Sequence, residues 1–483
     1  MEDDCRRPGG GTDCISGLPD VLLHDILRRL RSAPAAARTS ALSRRWRRVW
    51  AQIPDLVFGD DLIRGVEGGG ATFLDAVDDA LAAYSDDRAI HLGGLEINVP
   101  CRWGKNVPAH RVASWLRFAS RRLTGAFYLT LPYEPKSCTR AKDDELELPP
   151  CEGATKFALL LGSRFLLRIP PAGMFPALAD LEIHQATMDG RELGIILSSH
   201  CPGLRNLTLG LGVTLVAASD VSVRSTSLPR LCFCARKTRR LDIAAPMLEI
   251  LEVSEVTDAH IAAPNLAEVV LSYILSQVVF ADTGRHLRRL NVRRCSVMAP
   301  LMWRFDSVYS LQLQAPNVKE DYRRFLDDTN NLPKCEILSV ASSLLKHAFE
   351  PSLLHLLRRG NGIRKLLLIF SYTSMNPCCP LGCPCRLPEN PMTNKIILDS
   401  LQEIEIHVPG GSADRVGKSV ELLKQLLSNI WKTTKLTKLK SVEMNMSCHD
   451  STLSDELCKK ICAMCPPNVR VKSNVFPDGF AQD

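Results

Sequence analysis

A short motif, apolar-x-x-apolar-x-apolar, recurs along this chain and restricts its possible folds more than any other feature. Instances begin at Leu92, Leu178, Leu204, Leu228, Leu248, Leu266, Leu287, Val308, Cys335, Ile363, Leu401 and Leu439. Three of them read Leu178-Ala-Asp-Leu-Glu-Ile183, Leu204-Arg-Asn-Leu-Thr-Leu209 and Leu248-Glu-Ile-Leu-Glu-Val253. The last two apolar positions are two residues apart, the period of one face of a strand, and the first suits a preceding turn. In the middle of the chain the motif returns every 18 to 28 residues or so, the range of stacked strand-and-turn repeats.

The residues before the motif also repeat. Phe175-Pro-Ala-Leu, Cys201-Pro-Gly-Leu, Ser227-Leu-Pro-Arg-Leu, Ala245-Pro-Met-Leu and Ala263-Pro-Asn-Leu each place a proline just ahead of the strand. Proline cannot donate to a ladder, so it belongs at a strand's start. Arg191 to Ser199 reads as a helical piece between two repeats. Each unit leaves an apolar edge that only its neighbour buries, so the units are expected to stack as a solenoid. An Asn three residues past the strand is mostly missing, and Cys295 alone fits the Cys variant of that position. An irregular arc is therefore expected. An unrelated α/β domain with coincidental Leu spacing is the competing reading.

The segment ahead of the repeats has a different period. Leu22, Leu23, Ile26, Leu27 and Leu30 recur at helical spacing behind Pro19 and Asp20, which suit a first helical turn. Ser32-Ala-Pro34 ends that helix. A short helix follows over 35–42, and Trp46, Val49 and Trp50 share one face of a third, with Ser43 as its cap. Leu56 and Phe58 are extended. Three short helices are too little for independent stability, so a partner burying one face is expected. A plain helical cap on a larger domain is the alternative.

Ile15, Leu18-Pro19-Asp20, Leu22-Leu23 and Ile26-Leu27, then Ala37-Arg38-Thr39-Ser40, Leu42-Ser43-Arg44-Arg45-Trp46-Arg47 and Trp50, closely resemble the plant F-box across residues 14–58. The F-box followed by degenerate leucine-rich repeats resembles the grass-type F-box/leucine-rich-repeat group. Cys378-Cys-Pro-Leu-Gly-Cys383-Pro-Cys385 and the FBD-like stretch Leu436 to Met444 fit the same group. The resemblance implies an α/β chain with a three-helix F-box and an irregular leucine-rich-repeat solenoid. It also implies a non-catalytic receptor subunit of an SCF-type ubiquitin ligase. Leu18, Pro19, Leu22, Leu23, Ile26, Leu27, Leu42, Ser43 and Trp46 would bind a Skp-type adaptor, and through it a cullin. A repeat scaffold uncoupled from any ligase is the second reading.

Geometry suggests target-binding positions in the repeats. Residues between and just after the core positions face the open side of the strands: Glu182, His184, Thr208, Glu252, Ser254, Asn291, Arg293, Gln312, Gln314, Glu405 and His407. The expected boundaries are a disordered 1–13, an F-box over 14–58, and a linker and helix over 59–90. Repeats follow over 91–447, with a Cys/Pro-rich loop at 376–391, then a C-terminal helix and tail over 448–483.

Composition narrows the remaining classes. The net charge of +7 is modest for 483 residues and its cations are dispersed, which argues against nucleic acid as the partner. Arg44-Arg45 with Arg47-Arg48 also fits a nuclear-import or phosphate-binding run. No apolar h-region precedes Ile15, and the chain is longer than disulfide-stapled scaffolds. The 18 cysteines are thus expected to be reduced, in the cytoplasm or nucleus. Leu266 to Phe280 is short and interrupted for a bilayer span and reads as a strand with a turn. Neither Cys378, Cys379, Cys383 and Cys385 nor Cys458, Cys462 and Cys465 is assigned a metal, and no cofactor is expected. No nucleophile elbow, phosphate loop or HExxH motif is present, and Gly68-Gly69-Gly70 is an isolated run, so an enzyme is not expected.

Overall fold

The computed structural model describes residues 17–29, 45, 49, 54–59, 73–85, 91–101, 107–133, 144–170, 174–295, 298–316, 319–343, 349–360, 362–371, 396–408, 423, 425–447, 463, 465 and 469–476. These residues form two compact units, divided after Leu228, with Cys234–Lys237 belonging to the first.

The first unit carries α1 (Asp20–Arg29), β1 (Asp55–Phe58), α2 (Phe73–Ser85), β2 (Leu92–Asn98), α3 (Ala109–Arg122) and β3 (Leu123–Thr130). Then come β4 (Glu145–Glu147), β5 (Lys156–Leu160), β6 (Leu166–Arg168), β7 (Asp180–His184), β8 (Thr187–Met188), α4 (Gly190–Ile195) and β9 (Asn206–Arg224). One parallel ladder joins β1, β2, β3, β5, β7 and β9 in that order. A second joins β4, β6, β8 and the later part of β9. The passages from β5 to β6, from β7 to β8 and within β9 hold a positive φ, at Gly162 and Ser163, at Gln185 and at Gly212. That left-handed step is what turns the chain out of one ladder and into the other.

Apolar residues at alternate strand positions form the core. Phe127, Phe157 and Phe175 are fully buried and meet edge to face, with ring centroids 5.7 and 6.4 Å apart. Helix α3 buries Val112, Trp115, Leu116 and Ala119. It is tied to α2 by the Trp115 indole N–H on Asp78 at 2.7 Å and by Arg111 on Asp75 at 2.6 Å. Asp189 caps α4, accepting from the backbone N–H of Arg191 and Glu192. Gly125 sits where a Cβ would come within 1.8 Å of the Gly93 carbonyl oxygen, so only glycine permits this approach of β2 and β3.

The prolines find their reason in a turn. The N–H of Leu178, Leu204, Leu248 and Leu266 donates to the carbonyl three residues back, on Phe175, Cys201, Ala245 and Ala263. Pro176, Pro202, Pro246 and Pro264 occupy the second turn position, which the fixed proline φ suits. The leucine closing each turn is buried, and its strand starts two residues later.

In the second unit β11 (Ile250–Ala262), β12 (Glu268–Ser272), β14 (His286–Arg293), β15 (Ser307–Gln314), β16 (Lys334–Ser343), β17 (Lys365–Ser371), β19 (Glu403–Val408), β21 (Ser441–Ser447) and β22 (Arg470–Phe476) pair in parallel in chain order. Strand β13 (Gln277–Phe280) adds to the far end of β11, and β18 (Ile396–Ile397) pairs with β20 (Thr434–Lys435). Strand β10 (Arg230–Ala244) contributes residues to both units. Leu251, Val269, Leu290, Leu311, Leu338, Leu366, Ile404 and Val442 are register neighbours and form one buried row. Glu255 within β11, and Tyr273 and Arg294 just past β12 and β14, take positive φ at equivalent positions of successive repeats. Helices α5 (Met298–Arg304), α6 (Lys319–Asp328) and α7 (Phe349–Arg359) lie between ladder strands.

The coarse expectation, an α/β chain, matches this architecture, whose sheet is mostly parallel. All the motif positions from Leu92 to Leu439 are buried at the start of strands. Leu266 to Phe280 is indeed strand, turn and strand, and among the described residues no helix is long and apolar enough to cross a membrane. Other points differ. Arg470–Phe476, expected within a helix and tail over 448–483, is strand β22, paired in parallel with β21 so that half-buried Val471 stands opposite Val442. The residues expected as repeats over 91–447 fall partly in each unit. The helices expected over 35–50, apart from Arg45 and Val49, and the 376–391 loop lie outside the described residues.

Candidate interaction faces

Helix α1 is built on Pro19, whose carbonyl accepts from the N–H of Leu22 and Leu23. Arg45 holds the helix start, donating to Asp20 and to the Leu18 carbonyl. Val21, Leu22 and Ile26 are 71%, 47% and 41% exposed, whereas Leu23 is fully buried. Positions 21, 22 and 26 span an arc of about 140°, and 23 lies beyond its edge, about 60° from 26, where it is closed to solvent. Leu23, expected on the adaptor-facing side, is therefore a core residue. Leu18 is half-buried and Pro19 exposed. The side chain of Leu27, and Leu42, Ser43 and Trp46, lie outside the described residues.

In the first unit the outer face of the ladder holds a charged row. Glu182 on β7 accepts from the Lys156 ammonium on β5 at 3.0 Å, and that ammonium lies 5.3 Å from the centre of the Tyr128 ring on β3. The Glu182 hydrogen bond raises the Lys156 pKa, so this lysine is held charged. His184 follows on the same face, its pKa lowered by burial. It lies over Gly210, where a Cβ would come within 2.1 Å of the imidazole. Thr208 is the register partner of Glu182.

The second unit presents two polar groups of residues. On β14 to β16, Arg293 donates to Asn291 at 3.2 Å and Asn291 donates to Gln312 at 3.1 Å. Asn291 and Gln312 are 1% and 7% exposed, so neither is the open surface residue that strand alternation predicted. An amide sharing its hydrogen bonds with its neighbours tolerates such burial. Nearer the C-terminus, Lys365 donates to Glu405 at 2.6 Å, His407 lies 2.6 Å from the same carboxylate, and Asn445 donates to it at 2.8 Å. Asn474 continues the network to Glu443 and Asn445. Burial alone would raise the Glu405 pKa, but the hydrogen bonds from Lys365 and His407 outweigh it and hold the carboxyl below its ordinary value.

The structure thus joins Asn291 with Gln312 and Arg293, and Glu405 with His407. Glu252 is exposed on β11, and Ser254 and Gln314 are half-buried. Sequence reasoning missed Tyr128, Lys156, Lys365, Asn445 and Asn474. Asn445 is the register partner of His407, Tyr128 and Asn474 lie two strands from Glu182 and His407 at the same register, and Lys156 and Lys365 sit one strand away and two residues short of Glu182 and Glu405. The strand offset of Lys365 and Asn445 was readable from their motifs; β3, β5 and β22 offered no leucine motif to count from.

Sequential strands paired in parallel, entered through a Pro-Leu turn and joined by short helices, define an α/β repeat protein with a separate N-terminal helix. No family model matches the chain. Its relatives are nevertheless specific. An FBD-associated F-box protein of Arabidopsis thaliana is 27% identical over 275 residues, covering 54% of this chain and 63% of that protein. An F-box/LRR-repeat protein of the same plant is 28% identical over 200 residues, 41% of this chain and 43% of that protein. Another Arabidopsis F-box protein is 49% identical over 51 residues, 11% of this chain and 16% of that one. The chain is a homologue of plant F-box/leucine-rich-repeat and FBD-associated F-box proteins. Its matches to the first of these relatives cover 43–63% of their length.

Proposed function

We propose that this protein is a non-catalytic receptor subunit of an SCF-type ubiquitin ligase, acting in the cytoplasm or nucleus. The 14–58 segment docks a Skp-type adaptor and thereby a cullin. The repeats, stacked as an irregular solenoid, hold a target protein on their polar faces. The observation that carries this reading is the apolar side of α1, where Val21, Leu22 and Ile26 are exposed in a homologue of F-box proteins. Exposed apolar side chains on one side of a short helix are the expected signature of a helix that packs on a partner. Leu18, Pro19, Leu27, Leu42, Ser43 and Trp46 extend that contact, and Leu23 supports it from beneath. Glu182, His184, Glu252, Ser254, Arg293, Gln312, Glu405 and His407 contribute to target recognition.

The test is capture of a plant Skp-type adaptor and cullin by the full chain, beside a Leu22→Asp/Ile26→Asp variant. Capture by the wild type and loss by the variant, with both folded, is the expected result. A folded wild type that captures neither protein leaves the second reading, a repeat scaffold outside the ligase.

A further inference from the structure

We infer that the β14–β16 face of the second unit is a docking site for an extended, carboxylate-bearing segment of a protein partner. This deepens the receptor reading and rests on it for the identity of the partner as a target. The face is read directly from the register. Asn291, Gln312 and Ser339 are successive partners on β14, β15 and β16. On one side of that row lie Arg289, Ser310 and Ile337, also successive partners. On the other lie Arg293, Gln314 and Ala341. The residues between them, Leu290, Val292, Leu311, Leu313, Leu338 and Val340, are fully buried in the core. The face therefore carries two arginines and no carboxylate.

Both guanidinium groups are available. Arg289 and Arg293 are exposed, and Glu268, the register partner of Arg289, is already engaged by Arg288. Arg289 has no ion pair among the described residues, and Arg293 donates only to Asn291. Arginine at such a position matches a carboxylate with paired N–H donors.

The row between the arginines is unfinished. Arg293 donates to Asn291 and Asn291 donates to the Gln312 carbonyl oxygen, which leaves the Gln312 amide N–H groups as the free end. Beside it, the Ser339 hydroxyl is buried, 2% exposed, and has no hydrogen-bond partner. A buried hydroxyl without a partner costs stability unless something supplies one. The main-chain amides of an extended segment offer both a donor and an acceptor at this spacing. Arg289 and Arg293 are four residues apart on one strand, about 13 Å. An extended segment running alongside meets both with carboxylates about four residues apart.

Towards the C-terminus the same face carries both signs, with Glu403, Glu405 and Glu443 beside Lys365, Arg470 and Lys472.

The experiment uses the full chain and fluorescein-labelled 12-residue peptides in a Ser/Thr/Gly background. One carries Glu at positions i and i+4, a second Gln at both, and a third phosphoserine at both. Fluorescence anisotropy is measured with wild type, with Arg289→Glu/Arg293→Glu, and with Arg358→Glu/Arg359→Glu. The last pair lies at the exposed end of α7 and changes the net charge equally. The expected result is binding of the Glu peptide by wild type and by the α7 variant, weakened about tenfold or more by the β14 variant or by Gln. Equal weakening by the two charge swaps, or equal binding of the Gln peptide, overturns the inference. So does a phosphopeptide preferred by more than about tenfold, which reassigns the face to phosphate. The same samples are tested for adaptor capture. Adaptor capture without peptide binding overturns this inference alone. Peptide binding without adaptor capture sustains the site while the receptor reading fails.

Discussion

Leu22→Ala/Ile26→Ala isolates the contribution of the α1 surface. The two side chains are 47% and 41% exposed, so the area left for a partner to cover is a little less than one whole aliphatic side chain. Complete burial of such a side chain contributes about 1.5–3 kcal/mol. The double substitution should therefore weaken adaptor binding by about 1.5–2.5 kcal/mol, roughly ten- to seventyfold in Kd. Alanine keeps the helix, but the buried part of both side chains also leaves the protein's own packing, so a melting shift smaller than that of a fully buried leucine is expected. Leu23→Ala is the internal control. Leu23 is fully buried, and its truncation should cost about 2–5 kcal/mol of local stability. Calorimetric titration with a purified Skp-type adaptor, alongside melting curves, separates the two effects. The reasoning is refuted if the surface variant binds within about threefold of wild type, or if its melting shifts as far as that of Leu23→Ala.

Three further perturbations test the fold and the faces. Phe157→Ala removes the middle ring of the Phe127–Phe157–Phe175 contact and should destabilise the first unit by about 3–5 kcal/mol, with Phe157→Leu costing clearly less; hydrogen exchange should rise in residues 156–184 and stay unchanged in β15 to β17, as nearest-neighbour stacking requires. Glu405 has a carboxyl pKa below its ordinary 4.5, so its contribution to stability is complete above that value and is lost as pH falls through the lower folded value. Lys365→Met should shrink this acid-dependent loss in a denaturant series between neutral and acidic pH; an unchanged profile counts against the ion pair's role. In native thiol labelling at neutral pH, exposed Cys101 should react, whereas Cys201 and Cys335, buried and pushed up to about 12, should react only after unfolding.

The sequence alone located the repeating strands from Leu92 to Leu439, because the leucine that closes each turn and the two alternating core residues leave an unambiguous spacing. It also located α1, whose apolar residues recur at helical period. It missed β5, where Ala154, Phe157 and Leu159 keep the spacing with Ala and Phe in place of leucine, and β4, β6 and β8, which are too short to show any period. Tertiary structure decided the rest. Leu22 and Leu23 are equivalent as apolar residues of one helix, and only packing assigns one to the surface and the other to the core. Asn291, Gln312 and Ser339 look like solvated face residues in one dimension. Pairing of β14, β15 and β16 brings them side by side, where the amides satisfy one another and the Ser339 hydroxyl is left without a partner. Local spacing encodes which way a side chain points along its own strand, whereas cross-strand register, fixed by the whole stack, determines what it meets.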